Sequence, residues 1–332
     1  MPQKRIEFID HLRGLALIGV VWFHTTHPAF LDFSFRIPLF FLVSGIFFRP
    51  YPLKKFIVKK INQLLVPFIF FYLIYYLFYM GLWWLKEGTL TTFNFASVFG
   101  IFGMYAGFDN FIINPPLWFI FALFSMQIIL YALVKVSTNK LFLSICALAI
   151  TIFGVLYFFH IKTPFMISRC TPYFIYFALG YIFGTETLHI IDGHRDKKYW
   201  SLFVLSCISF LSSIVLIYCY GFKTEGQFGV LDYVAITSFI LLLMFVMKGL
   251  YRYTFMKPFH FFGENTYVLL GIHEMILTVL LICANNYNWT QSILLGISFV
   301  IITLLITYPV TLFCNKYLPK IIGKEPLFIA KS

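Results

Sequence analysis

Long runs of apolar residues alternate along the chain with short polar segments. A helix needs about 20 apolar residues to cross the roughly 30 Å hydrocarbon layer of a bilayer. The runs are unbroken and lack the two-residue alternation of membrane β-strands, which favours helices over a barrel. The pattern predicts an all-α, polytopic bundle of about ten transmembrane helices. They begin near Leu15, Ile37, Leu64, Leu117, Leu141, Pro172, Ser201, Leu231, Tyr267 and Ser292.

Two segments depart from this regular pattern. The second span is short and contains Pro38 and Gly45, so we expect it to be tilted or broken. The segment from Phe93 to Asn114 is apolar but rich in glycine. Irregular backbone at membrane depth needs protein around it, so this segment is interpreted as a re-entrant or interfacial piece.

Composition excludes the main alternatives to a membrane bundle. Of the 332 residues, 61% are hydrophobic and only 11% are charged, whereas soluble domains carry about 25% charged residues. A soluble fold, a disordered chain, a disulfide scaffold and a coiled coil are therefore all disfavoured. No internal repeat is evident, and we expect one integral membrane domain over residues 1–332 with no appended soluble domain.

The net charge of +12 is explained by membrane topology. With ten spans, most of the 25 lysines and arginines fall on one side, which the positive-inside rule assigns to the cytoplasm together with both termini. The opposite side holds Lys86, Lys162, Arg169 and Lys223. The charge therefore predicts a lipid bilayer as partner and no nucleic acid. Acidic residues interrupt the start of the first span, so it does not resemble a signal peptide.

The first span carries the densest set of polar residues, including Asp10, Arg13 and His24. A charge at the bilayer centre costs about 2.5–3.5 kcal/mol, so such residues indicate function. Arg13 and His24 are eleven residues apart, close to three helical turns and about 16 Å, and share a face. Asp10 is placed to pair with Arg13. One interpretation makes His24 a general base in a cavity open to the cytoplasm; the other has His24 bonded to a carbonyl and Arg13 snorkelling.

The second span contributes Arg36, Ser44 and Gly45. Arg36 is either a functional cation or an interfacial one paired with Asp32 four residues earlier. Ser44 either takes part in the site or bonds to a carbonyl of its own helix. Gly45 permits close approach of a ligand or of another helix.

Five cations precede the third span: Arg49, Lys54, Lys55, Lys59 and Lys60. They either anchor the chain to anionic lipid or bind the phosphates of a cytosolic ligand. Trp118 opens the fourth span and suits either the aromatic belt or stacking on a sugar.

The ninth span begins with Glu264 and Asn265, which suit a helix start as charge and cap. His273 and Glu274 lie in an otherwise apolar stretch, either as interhelical contacts or in the same cavity as His24. The six cysteines show no metal-ligand spacing, so we predict no metal site.

The chain resembles the acyltransferase-3 family of integral membrane proteins, and within it the fucose 4-O-acetylase-like branch. The resemblance rests on RGLALIGVVWFH, FRIPLFFLVSGIFF, KKINQLLVPF, PPLWF and GENTYVLLGIH, which occur in family order across almost the whole chain. It implies transfer of an acyl group, usually acetyl, from acyl-CoA to a carbohydrate hydroxyl. Acetyl-CoA would be a co-substrate, with no tightly bound cofactor.

The resemblance also implies roles for particular residues. It makes His24 the catalytic histidine and Arg13 its essential companion, and it matches Arg36, Ser44, Glu264, Asn265 and His273 to further family motifs. It implies a bacterial-type cytoplasmic (inner) membrane location and an association with glycan-synthesis machinery. Two rival hypotheses stay open: a transporter or flippase for a glycan or small anion, and a structural subunit of a polysaccharide-synthesis complex.

Overall fold

The computed structural model describes residues 6–25, 35–95, 115–158, 161, 163–220, 229–290 and 292–329. These residues form helices joined by short connections, and no strand occurs among them. The all-α prediction is confirmed. The glycine-rich segment predicted to be re-entrant lies outside the described residues from position 96 onward.

Thirteen α-helices are present in the described ranges. They are α1 Glu7–Phe23, α2 Arg36–Ile46, α3 Leu53–Lys60, α4 Val66–Glu87, α5 Trp118–Val136, α6 Lys140–Phe153, α7 Ile167–Cys170, α8 Phe174–Asp192, α9 Lys197–Tyr220, α10 Val230–Leu250, α11 Lys257–Glu264, α12 Thr266–Asn286 and α13 Ile293–Tyr317. A π-helical turn, Ile61–Leu65, joins α3 to α4 without a break.

Eight helical segments of the described chain are long and apolar enough to cross a membrane. They are Leu53–Glu87, Trp118–Val136, Lys140–Tyr157, Ile167–Asp192, Lys197–Leu216, Val230–Leu250, Thr266–Asn286 and Ile293–Tyr317. Large apolar side chains such as Leu211, Leu294 and Leu305 are more than half exposed on their outer faces. An apolar surface of this kind suits lipid rather than water, and the chain is an integral membrane protein.

The first two predicted spans are shorter than a full crossing. Helix α1 has 17 residues and α2 has 11, and 11 residues rise only about 16 Å. Both helices are largely buried in protein: Leu12, Leu17, Leu39 and Val43 are fully inaccessible. Because neighbouring helices surround them, α1 and α2 need not match the thickness of the hydrocarbon layer.

Glycines allow these two inner helices to contact their neighbours closely. A Cβ at Gly45 of α2 would lie 2.0 Å from the carbonyl oxygen of Phe177 on α8. A Cβ at Gly263 of α11 would lie 1.7 Å from the carbonyl oxygen of Asp10 on α1. Of the two roles left open for Gly45, the structure therefore shows the approach of another helix.

The two ends of the described chain lie at the same end of the bundle. The start of α1 contacts Gly263 at the end of α11, and Lys324 donates to Asn265 next to it. Closer to the end of the described chain, the backbone of Leu327 and Phe328 forms hydrogen bonds with the side chain of Asn62. We refer to residues 318–329 as the C-terminal strap. This placement agrees with the even number of crossings predicted from the sequence.

Candidate active site

A cavity of about 430 Å³ lies between α1, α2, α3, α5, α11 and α12. We call it the basic cavity, because four of its five charged lining residues are cations. Its lining consists of Arg13, Phe40, Ser44, Phe47, Arg49, Tyr51, Lys59, Lys60, Gln63, Leu64, Phe119, Ile120, Leu123, Gln127, Gly263, Glu264, Thr266, Tyr267, Leu270 and Gly323. The cavity therefore combines two parts of the sequence, residues 13–127 and residues 263–323.

One end of the basic cavity is strongly positive. Arg49 donates to the carbonyl oxygens of Ile46 (3.0 Å) and Phe48 (2.6 Å), which fixes its guanidinium at the end of α2. Lys59 donates to the hydroxyl of Tyr51 at 3.2 Å, and its ammonium lies 4.4 Å from the Tyr51 ring centre. These contacts hold the cations in place without neutralising them, so the end they form is suited to anions.

The structure divides the five cations predicted as one phosphate-binding group. Arg49, Lys59 and Lys60 line the cavity, and Lys60 is only 9% exposed. Lys54 and Lys55 are exposed at the start of α3 and are not among the lining residues. The division follows position along α3: Lys55 and Lys59 are four residues apart and both lie over the Tyr51 ring, but only the end of the helix reaches the cavity.

The far end of the cavity is apolar. On α5 the lining runs from Gln127 to Phe119, eight residues or about 12 Å along the helix axis. The rings of Phe40 and Phe119 are 5.4 Å apart, and Leu270 adds a further apolar side chain to the lining. Ser44 and Gln127 supply polar groups. The cavity can thus hold a ligand with an anionic head and a long, less polar arm.

Arg13 lies in this cavity and forms the ion pair predicted from the sequence. Its Nη1 donates to Oδ1 of Asp10 at 3.2 Å, and the Asp10 carboxylate is almost completely buried. The guanidinium also lies 5.1 Å from the ring centre of Phe47, the residue that follows α2. These contacts orient Arg13 toward Phe47 and the cavity rather than toward lipid, which disfavours snorkelling.

A second group of polar side chains forms at the other end of α1. His24 follows the last residue of α1, and its Nδ1 lies 3.5 Å from Oε2 of Glu274 on α12. The ring centres of His24 and His273 are 5.6 Å apart. We call His24, His273 and Glu274 the histidine cluster. His273 and Glu274, for which the sequence left two roles open, therefore both lie beside His24.

The histidine cluster and the basic cavity are neighbours along α12. The last cavity residue on that helix is Leu270, and Glu274 follows it by four residues, about 6 Å. His24 is not among the lining residues, although the sequence led us to expect it in the cavity. Arg13 lines the cavity together with the start of α12, and His24 lies beside Glu274 farther along the same helix.

Two other predicted site residues have different positions. Arg36 is buried at the start of α2, with its guanidinium 4.6 Å from the ring centre of Phe23, and Phe23 also contacts the edge of His24. Its alternative partner, Asp32, lies outside the described residues. Trp118 is half-buried against Tyr173 and is not among the cavity residues, although Phe119 beside it is.

Asn265 does not cap α12 as predicted. No side-chain cap bond forms; instead its Oδ1 accepts from Asn315 (2.9 Å) and Lys324 (2.6 Å), and its amide nitrogen donates to Phe261. The adjacent Glu264 does line the cavity, and its Oε2 lies 3.7 Å from Nδ1 of His260. Lys324 of the C-terminal strap is a charged donor, which makes a stronger hydrogen bond than a neutral backbone amide. Asn265 therefore connects α12 to the strap instead of capping the helix.

Several site residues were missed by the sequence analysis. Gln127 and Tyr51 line the cavity, and Asn62 binds the strap that carries the lining residue Gly323. Gln127 has a detectable signal, since a polar amide interrupts an apolar span. Asn62 has none, because its partners Leu327 and Phe328 are some 266 residues away in the sequence.

Two sets of side chains in the described chain bring possible metal ligands within 4.8 Å of one another. One is the histidine cluster, and the other consists of Asp10, His260 and Glu264. Neither set could be found from local spacing, because each combines helices that are distant in the sequence.

The fold and these two sites define a helical membrane protein with a positively charged cavity close to a histidine and a carboxylate. Residues 6–312 match the acyltransferase-3 family, described as an acyltransferase domain. The chain belongs to this family and is an integral membrane acyltransferase. No curated protein and no solved structure matches the chain.

Proposed function

We propose that the protein is an O-acyltransferase that moves an acyl group, acetyl in the first instance, from acyl-CoA to a carbohydrate hydroxyl. The main support for this proposal is the shape and charge of the basic cavity. Coenzyme A has a polyphosphate head and a long pantetheine arm that ends in the thioester. Arg49, Lys59 and Lys60 match the head, and the apolar end near Leu270 matches the arm. The thioester would then approach the histidine cluster.

In this mechanism His24 is the general base. Its Nδ1 faces Glu274, which favours the tautomer with the proton on Nδ1 and the lone pair on Nε2. Nε2 takes the proton of the acceptor hydroxyl as the hydroxyl oxygen attacks the thioester carbonyl. The tetrahedral intermediate then expels the CoA sulfur, which receives that proton and leaves as the thiol.

Arg13 acts at a different point from His24. It lies in the basic cavity, about 16 Å along α1 from His24, so it is suited to hold the donor rather than to stabilise the oxyanion. Arg36, which shares the Phe23 ring with His24, is the cation we assign to the oxyanion. An acyl-His24 intermediate is an alternative route with the same residues.

The acceptor is assigned by resemblance to the fucose 4-O-acetylase-like branch. We propose a sugar of a surface polysaccharide or lipid-linked glycan, reached through glycan-synthesis machinery in the bacterial inner membrane, with Trp118 as a stacking surface. The rival hypothesis, a glycan or anion transporter, would use the same cavity as a translocation path.

The test is transfer of label from [¹⁴C]acetyl-CoA to glycan in membranes that contain the protein or its His24→Ala variant. We expect label in glycan with the parent protein and nearly none with the variant, while His194→Ala, which removes an exposed histidine, behaves as the parent. Movement of glycan across the membrane without consumption of acetyl-CoA would instead favour the transporter.

A further inference from the structure

The histidine cluster contains a buried lone pair that the acyl-transfer mechanism does not use. His273 is inaccessible to solvent, and its Nδ1 lies 2.9 Å from the carbonyl oxygen of Leu269. A carbonyl only accepts, so Nδ1 carries the ring proton and Nε2 carries the lone pair. Within the described part of the chain, no hydrogen-bond partner reaches that Nε2.

Glu274 presents a second acceptor to the same space. Its Oε2 is buried and has no hydrogen-bond partner among the described residues, with Nδ1 of His24 at 3.5 Å. A buried polar atom without a partner costs about 1–3 kcal/mol, and here an imidazole nitrogen and a carboxylate oxygen converge. Two converging acceptors call for a cation between them.

The donor set and its geometry suit a transition-metal ion. Two imidazoles and one carboxylate are the protein ligands of many Zn²⁺ sites that keep a fourth position open. The three ligand atoms lie within 4.8 Å of one another, whereas bonds of about 2.0–2.1 Å require separations of roughly 3.4 Å, so a small inward movement suffices. The Leu269 carbonyl fixes the His273 tautomer, as second-shell groups do for metal-binding histidines.

The second set of possible ligands lacks these features. Asp10 already pairs with the guanidinium of Arg13, a fixed positive charge that opposes a metal ion at the same place. His260 and Glu264 are 3.7 Å apart, and neither has a buried side-chain atom that lacks a hydrogen-bond partner, in contrast to His273 and Glu274. The histidine cluster is therefore the better of the two metal sites.

We propose that His24, His273 and Glu274 bind one divalent transition-metal ion of the Zn²⁺ class, and that this ion inhibits acyl transfer. The His24 and Glu274 side chains are 25% and 20% exposed, which gives the ion access. Binding through Nδ1 of His24 moves the ring proton to Nε2 and removes the lone pair that the base needs. Metal binding stands on the geometry alone; the inhibition rests on the proposed function.

Co²⁺ is the probe for binding, because Zn²⁺ has a filled d shell and no visible spectrum. We expect the chelator-treated, detergent-purified protein to bind one equivalent of Co²⁺ with visible absorption bands of tetrahedral type. Glu274→Gln, which keeps the side-chain volume, and His24→Ala should both lose these bands. His260→Ala, in the other set of ligands, and the surface control His194→Ala should keep them.

Acyl transfer measured on the same preparations separates the two parts of the proposal. Loss of activity at one equivalent of Co²⁺ or Zn²⁺, with recovery after chelation, supports both parts. Binding without loss of activity supports the metal site but overturns the inhibition and His24 as base. Two results would overturn the metal site and leave the proposed acyltransferase intact. In the first, the bands survive in both cluster variants but disappear in His260→Ala. In the second, the active parent protein shows no stoichiometric binding.

Discussion

The two ends of α1 present different chemistry to the same partner helix. Near its start, Arg13 joins Lys59, Lys60 and Arg49 around the basic cavity. Just beyond its end, His24 meets His273 and Glu274. One end is suited to hold an anion by charge, and the other is suited to move a proton.

This difference explains why the basic cavity and the proposed base, His24, can lie at different places in the structure. A thioester donor is long, so its phosphates and its reacting carbonyl are far apart. A site that places charge at one end and an imidazole at the other can therefore use both on a single ligand. Changes at the basic end should affect donor binding, and changes at the histidine end should affect the chemical step.

The largest effect is expected at the histidine end. His24→Ala should lower the rate of acyl transfer about 10²–10⁴-fold, because that is the usual contribution of a general base. Donor KM should change little, since the basic cavity is intact. Steady-state transfer from labelled acetyl-CoA measures both constants. A variant that loses donor affinity but keeps its turnover would contradict the division between the two ends.

A smaller effect, on KM alone, is expected at the basic end. Lys60→Ala removes a buried cation from the cavity lining. Hydrogen bonds to charged groups contribute about 1.5–3 kcal/mol, so the donor KM should rise roughly 10–100-fold. Lys54→Ala is the matched control, because this lysine is exposed and outside the lining. Equal effects of both substitutions would favour a general attraction to the membrane surface.

The close contact of α1 with α11 should determine stability at the basic end. Gly263→Ala places a methyl group against the backbone of Asp10, and overpacking of this kind costs about 1–3 kcal/mol. A lower thermal midpoint in detergent is the expected result. Gly81→Ala is the control, since no atom lies within 4 Å of the added Cβ. A similar loss in both variants would show that the helix contact is not the cause.

The smallest effect is expected at the C-terminal strap. Asn62 accepts from the backbone amides of Leu327 and Phe328, each at 2.8 Å. Asn62→Ala should speed hydrogen exchange at these two amides about 5–30-fold, the factor for a loss of one to two kcal/mol. Exposed Asn286, on a different helix, serves as the control substitution. Unchanged exchange in the Asn62 variant would mean that other contacts hold the strap.

The sequence by itself determined the class of structure. An unbroken apolar run that crosses a bilayer can form all its backbone hydrogen bonds within itself only as a helix. The all-α membrane bundle therefore followed from the hydrophobicity pattern alone. Local spacing also sufficed for the Asp10–Arg13 ion pair, because residues three apart on a helix are neighbours.

Only the tertiary structure decided which residues meet. It separated Lys60, which lines the cavity, from Lys54, which does not, because the packing of neighbouring helices decides which part of α3 meets the cavity. It brought Glu274 to His24 and gave Asn265 the strap rather than a helix end as its partner. These contacts join segments as many as 250 residues apart, and their positions are set by how whole helices pack rather than by the local pattern of the chain.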